Sequence, residues 1–236
     1  MIWTSRVANI VSRTYSEITK IVVGPERVGF VITKSLLQPI AVFRDALLND
    51  EVFVSETRPK VFSMFVTWLY CHCDLNISMS SCPKDWVELH LYAVELGLPQ
   101  LQDATMDVLQ DLYLERDWIV VSPDIWELVS TNNGLKSVGG LRKWCVAMTI
   151  SALLKHQCKA SELAPIFLRG GFAEDFLSYL QHSIRYSPGV SLLDEDPRQR
   201  EPISNLDSDF MRLPSGFPRC FFHSHWILEC SDCSNN

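Results

Sequence analysis

The sequence predicts an α+β protein: a small sheet packed with helices, then an α-helical extension, then a flexible C-terminal arm. Three observations predict it. Two β-branched and aromatic runs near the start flank a turn signal. From residue 34 onward apolar residues recur at spacings of three and four. Five of the twelve prolines then fall within residues 188–218, among mixed charges and few large apolar side chains, which is the composition of a linker.

The elements follow in order. Residues 1–15 are a polar lead-in. Ile21-Val22-Val23 and Phe30-Val31-Ile32, joined through Gly24-Pro25-Glu26, predict a β-hairpin. Leu36, Leu37, Ile40, Phe43 and Leu47 predict a helix over 34–48, interrupted or kinked at Pro39. Val52-Phe53-Val54 predicts a short strand. Phe62, Phe65, Val66 and Leu69 predict one buried helix face, with Pro59 near the helix start, where a missing N–H costs least. The stretch from Trp86 to Leu114 divides at Gly97-Leu98-Pro99 into two helices, the second with Leu101, Ala104, Val108 and Leu112 on one stripe. Ser122-Pro123 is a helix start, Ser122 as N-cap and Pro123 in the first turn. Further helices are expected over 141–154 and 172–184. The organisation predicted is a first domain over 16–115, a helical extension over 116–185, a Pro-rich linker over 186–219 and a tail over 220–236.

The bulk properties exclude several function classes. The net charge is −7, from 21 basic and 28 acidic residues; a phosphate-binding surface needs clustered Lys and Arg, so this balance argues against nucleic acid. The longest apolar candidate, 144–154, contains Thr149 and Ser151 and is closed by Lys143 and Lys155. It falls far short of the roughly 20 apolar residues of a membrane span, and no membrane partner is expected. Arg6, Arg13 and several hydroxyls make the first sixteen residues faintly like a transit peptide, but they lack a hydrophobic block of signal-peptide length. Cys71, Cys82, Cys145 and Cys158 sit in or beside apolar helical patterns, where reduced thiols behave as small hydrophobes. An intracellular protein of the cytoplasm or nucleus is expected.

Catalytic signatures are incomplete. Gly24 and Gly29 have phosphate-loop spacing, but Phe30-Val31 follow where Lys and Ser/Thr would reach phosphate and magnesium. Dinucleotide, serine-hydrolase and zinc-protease motifs lack their minimal parts. His90, His156 and His182 are isolated on helices, and a base needs an orienting partner. The expectation is no enzyme and no required cofactor.

Specific residues carry a family resemblance over about half the chain. Ser16-Glu17-Ile18 leads into Ile21-Val22-Val23-Gly24, and Phe30-Val31-Ile32-Thr33-Lys34-Ser35-Leu36-Leu37 follows. Phe43-Arg44-Asp45-Ala46-Leu47 ends the next helix. Pro59-x-x-Phe62-x-x-Phe65-x-x-Trp68-Leu69-Tyr70 and Leu91-Tyr92-Ala93-x-x-Leu96-x-Leu98-Pro99-x-Leu101-Gln102 come after. Together these resemble the BTB/POZ interaction domain, in the form found in short fungal BTB-domain proteins. Thr33 stands where the family usually has His, Cys71-His72-Cys73 replaces a common Gly, and the segment between Leu48 and Pro59 is short. The resemblance implies a dimerising or adaptor protein whose partner is itself, as a homodimer, or another protein. It implies an interface on the N-terminal segment and the helix over 34–48, with Ile18, Leu36, Leu37, Ile40 and Phe43 as its residues, each of which equally suits ordinary core. Many members also carry a hydrophobic-x-Glu signal for a cullin-type ubiquitin ligase scaffold; Val54-Ser55-Glu56 has that spelling and equally fits the next strand.

The tail suggests a second chemistry. Cys220, His223, His225, Cys230 and Cys233 lie in the last 17 residues; the chain's eight Cys and six His, evenly spread, would place about one there, and tetrahedral zinc needs four such donors. A structural zinc is one reading. It would make the chain a zinc-binding or redox-sensing regulator, with a nucleic-acid role as an extension. An amphipathic terminal strand docked on the helices is the other.

Overall fold

The computed structural model describes residues 18–47, 51–54, 56–71, 75–132, 139–155, 157–167, 171–185, 196–200 and 221–224. The chain is mixed α+β and divides into two compact units, Met1–Asp74 with Glu95–Leu98, and Leu75–Val94 with Pro99–Asn236. The helices expected to complete the first domain up to residue 115 thus fall mainly in the second unit.

In the first unit, β1 (Ile18–Val23) pairs antiparallel with β2 (Val28–Thr33). The intervening turn needs a left-handed residue at each end, Gly24 at φ 71° and Arg27 at φ 54°. A Cβ on Gly24 would lie 3.0 Å from Pro59 Cδ, so this position requires glycine both for conformation and for space. Past Thr33 the expected helix is broken in two: α1 (Lys34–Leu37) and α2 (Ala41–Ala46) flank Pro39, which has no N–H to continue the ladder. β3 (Glu51–Val54) then pairs parallel with β1, giving the order β2-β1-β3.

α3 (Pro59–Tyr70) starts with proline in its first turn, as expected, but its buried face is turned from the predicted one. Val61, Phe62, Met64, Phe65 and Trp68 are buried, whereas Val66 and Leu69 are only half-buried. Aromatic packing decides the orientation: Phe62 meets Phe30 edge-on at 4.9 Å and Phe65 at 5.6 Å, and Phe65 stacks on Trp68 at 6.4 Å. The hydroxyl of Tyr70, at the helix end, accepts the Thr33 N–H at 3.1 Å, tying α3 to the end of β2.

The second unit is helical. A short 3-10 turn (Ile77–Met79) is capped by Asn76, whose side chain accepts the Ser78 N–H at 2.9 Å. α4 (Pro83–Glu95) and α5 (Pro99–Glu115) follow, separated where expected by Gly97 at φ 66°. On α5 the apolar stripe of Leu101, Val108 and Leu112 is buried, and so are the polar Gln102, Thr105 and Gln110. α6 (Pro123–Thr131) has Pro123 in its first turn, but Ser122 contributes its carbonyl rather than a capping hydroxyl. α7 (Gly139–Leu154) is buried on nearly every side from Trp144 to Ala152 and forms the centre of the unit. α8 (Ala160–Phe167), which the sequence reading lacked, and α9 (Phe172–Arg185) complete it. Tyr113 meets Trp144 at 4.9 Å and Trp126 meets Phe172 at 4.8 Å, both edge-on. Fully burying a side chain of this size contributes about 2–3 kcal/mol.

Within the predicted linker, residues 196–200 are packed. Pro197 is buried, and Arg198 and Arg200 pair with aspartates. Their partners Asp117 and Asp111 lie more than 80 residues away in sequence, beyond the reach of local composition. Among the described residues no helix is long and apolar enough to cross a membrane.

Candidate interaction surface

Strand alternation sorts the sheet of the first unit into two faces. Thr19, Ile21 and Val23 of β1, with Ile32 and Val52 beside them, are buried. The opposite face carries Ile18, Val31 and Phe53, which are 64%, 63% and 53% exposed. Register makes neighbours of Ile18 and Val31 and sets Phe53 farther along the same face. Lys20 lies opposite Val31, so Ile18 is its diagonal neighbour, and Phe53 lies opposite Val22 on the other side of β1. Arg27 sits over the Phe53 ring at 5.4 Å, and between the three apolar residues this face also carries the exposed Lys20 and the buried Val22. Val42 on α2 is a further exposed apolar residue of this unit. In the order β2-β1-β3 both outer strands are edges among the described residues, and unpaired edges are templates for pairing with another chain.

Of the five interface residues implied by the resemblance, Ile18 lies on this open face and Leu36 is half-buried. Leu37, Ile40 and Phe43 are buried, Phe43 stacked on Phe65. In place of those three, the exposed set contains Val31, Phe53 and Val42. A sequence signal existed for two of them, since Val31 and Phe53 alternate out of phase with buried neighbours on their own strands. Val54 belongs to β3, opposite Val23, and Glu56 is exposed beyond it; Ser55 lies outside the described residues.

The second unit holds buried titratable groups. His90 on α4 is enclosed, with Nδ1 3.1 Å from the Gln102 carbonyl and 3.0 Å from the Thr105 hydroxyl, which itself donates to that carbonyl at 2.7 Å. Burial lowers its pKa to about 4, against the raising effect of the Gln102 carbonyl and Asp103. A neutral imidazole with Nδ1–H donating is the state this geometry favours, and it ties α4 to α5. Burial also pushes the thiols of Cys145 and Cys158 up, away from the thiolate that makes cysteine reactive.

Of the tail donors, only His223 is described; Cys220, His225, Cys230 and Cys233 lie outside the described residues, as do His72 and Cys73. His223 Nε2 is 3.0 Å from Asp107 Oδ1, and the neighbouring Ser224 N–H donates to Asp103 at 2.6 Å. Phe222 is buried, its carbonyl so close to Gly140 that a Cβ there would overlap it. Among the described residues no group of three or more His, Cys, Asp or Glu is placed to hold a metal ion.

Asp103, Asp107 and Asp111 were missed from the sequence. Their spacing of four sets them along one side of α5, beside the apolar stripe, and they hold the returning C-terminal segments. No family model, curated protein or solved structure matches the chain.

Proposed function

We propose that the chain is a protein–protein interaction module of the BTB/POZ kind, without catalytic activity, that self-associates through the exposed sheet face of its first unit. The observation that carries this reading is the co-location of Ile18, Val31 and Phe53 on one face of a three-stranded sheet. Three large apolar side chains, each more than half exposed, on a sheet with two edges are costly to leave in water, and a second copy offers the same face in self-complementary form. The buried His90 and Cys145 support the non-catalytic part, because neither has the access to a reactant that a base or nucleophile needs. The test is the mass of the full chain in solution by light scattering at ~50 μM, well above a typical micromolar dissociation constant. A dimer that Val31→Asp with Phe53→Asp converts to a folded monomer supports the reading; a second protein captured by the native face and lost with the same pair would place the partner elsewhere than in a second copy.

A further inference from the structure

The segment Asp196–Arg200 is held on the second unit as a bound peptide is held. Its backbone is fixed from within: Asp196 Oδ1 accepts the Arg198 N–H at 3.0 Å, and the Asp196 carbonyl accepts the Gln199 N–H at 2.9 Å. The turn so formed presents three groups to α5, to the residues just after it and to α7. The Pro197 carbonyl accepts from Gln110 Nε2 at 2.8 Å and from Trp144 Nε1 at 3.2 Å, both buried donors, on α5 and α7. Arg198 reaches Asp117 Oδ1 at 2.9 Å and the Trp118 carbonyl at 3.4 Å while bracing on Asp196 at 2.7 Å. Arg200 pairs with Asp107 and Asp111, one turn apart on α5. Gln199, between the two arginines, is exposed.

We infer that α5, the residues that follow it at Asp117 and Trp118, and α7 form a peptide-recognition site for the motif Asp-Pro-Arg-x-Arg, with residues 196–200 as its resident ligand. The Pro197 carbonyl and the two arginines each have a reader, and Asp196 shapes the turn from within. Buried Gln110 and Trp144 select an accepting carbonyl at the proline, and without one their N–H groups would be left unpaired. Planar guanidinium forks fit paired carboxylates better than ammonium groups do, so arginine rather than lysine is specified at both basic positions. The exposed Gln199 leaves its position unread. Beyond Asp111 the same side of α5 opens into a groove lined by Leu75, Asn76, Val108, Leu114 and Glu115. Because the ligand belongs to the same chain, the site is filled at high effective concentration, and a foreign Asp-Pro-Arg-x-Arg segment must compete with it. The partner this site fits is a protein presenting that motif, and the site's residues all belong to the second unit.

Two measurements on the full chain test this. A labelled peptide of residues 194–202 is titrated into the native chain and into Arg198→Ala/Arg200→Ala, whose own segment is weakened. Binding at least tenfold tighter to the double variant, and lost when Asp107→Asn/Asp111→Asn is added or when the peptide's two arginines are alanine, is expected. A folded double variant that binds no tighter than the native chain, or that binds the alanine peptide equally, overturns the inference. The second measurement does not depend on that variant folding. Trypsin cleavage after Arg198 and Arg200 should accelerate at least tenfold in Asp107→Asn/Asp111→Asn relative to cleavage after Arg44; an unchanged ratio overturns it.

Discussion

The rings of Phe43 and Phe65 are stacked, 6.2 Å between centroids and 19° from parallel, in the core of the first unit. Phe43 is 1% exposed and lies on α2, the helix that the family resemblance offers as an interface. The contact therefore separates two roles that periodicity alone leaves joined: this side chain holds the unit together. Phe43→Ala should destabilise the chain by about 3–5 kcal/mol, as for large-to-small changes at well-packed aromatic sites. Urea unfolding checks it; a loss below about 1 kcal/mol would place Phe43 outside the core.

His90 should make stability depend on pH. Its folded pKa, about 4, lies below the ordinary 6.5 because burial disfavours the imidazolium. Between these values the unfolded chain binds the extra proton, so stability rises with pH across that window and falls on acidification, by about 3 kcal/mol in all from this group. The urea midpoint should drop between pH 6.5 and pH 4, and His90→Gln should remove much of the slope. An equal slope in that variant would assign it to other groups, such as Asp107, held below its usual range despite burial by His223 and Arg200.

Gly140 tests the docking of the tail residues. In an exposed helix interior Gly→Ala is usually favourable by about 0.5–1 kcal/mol, but here the added Cβ meets the Phe222 carbonyl. Backbone cannot yield as a flexible side chain does, so Gly140→Ala should destabilise by about 1–3 kcal/mol. It should also speed proteolysis at Phe221 and Phe222. A rise in melting temperature with unchanged proteolysis would mean that this contact does not hold the segment.

Much of the local structure was legible. The hairpin, the Pro39 break and the Gly97 break follow from residues whose own backbone chemistry dictates them. What was not legible depends on distant partners. Nothing local specifies that β3 runs parallel to β1, or that Arg200 meets Asp107 and Asp111, so a segment with prolines and charges reads as linker until its carboxylates are in place. The interface residues show the same limit. Helical spacing of Leu37, Ile40 and Phe43 says that a face is covered but not by what, and at Phe43 the cover includes Phe65 of α3. The open face was encoded instead in period-two alternation at Val31 and Phe53, which is weak in strands of six and four residues.

The most direct test of the account is the oligomeric state of the full chain before and after the sheet face is made polar. At ~50 μM the native chain should scatter light as a dimer, and Val31→Asp/Phe53→Asp should scatter as a monomer with unchanged helical circular dichroism, since both side chains are already more than half in water. A native chain that is strictly monomeric at that concentration, or a dimer that survives both substitutions, would contradict it.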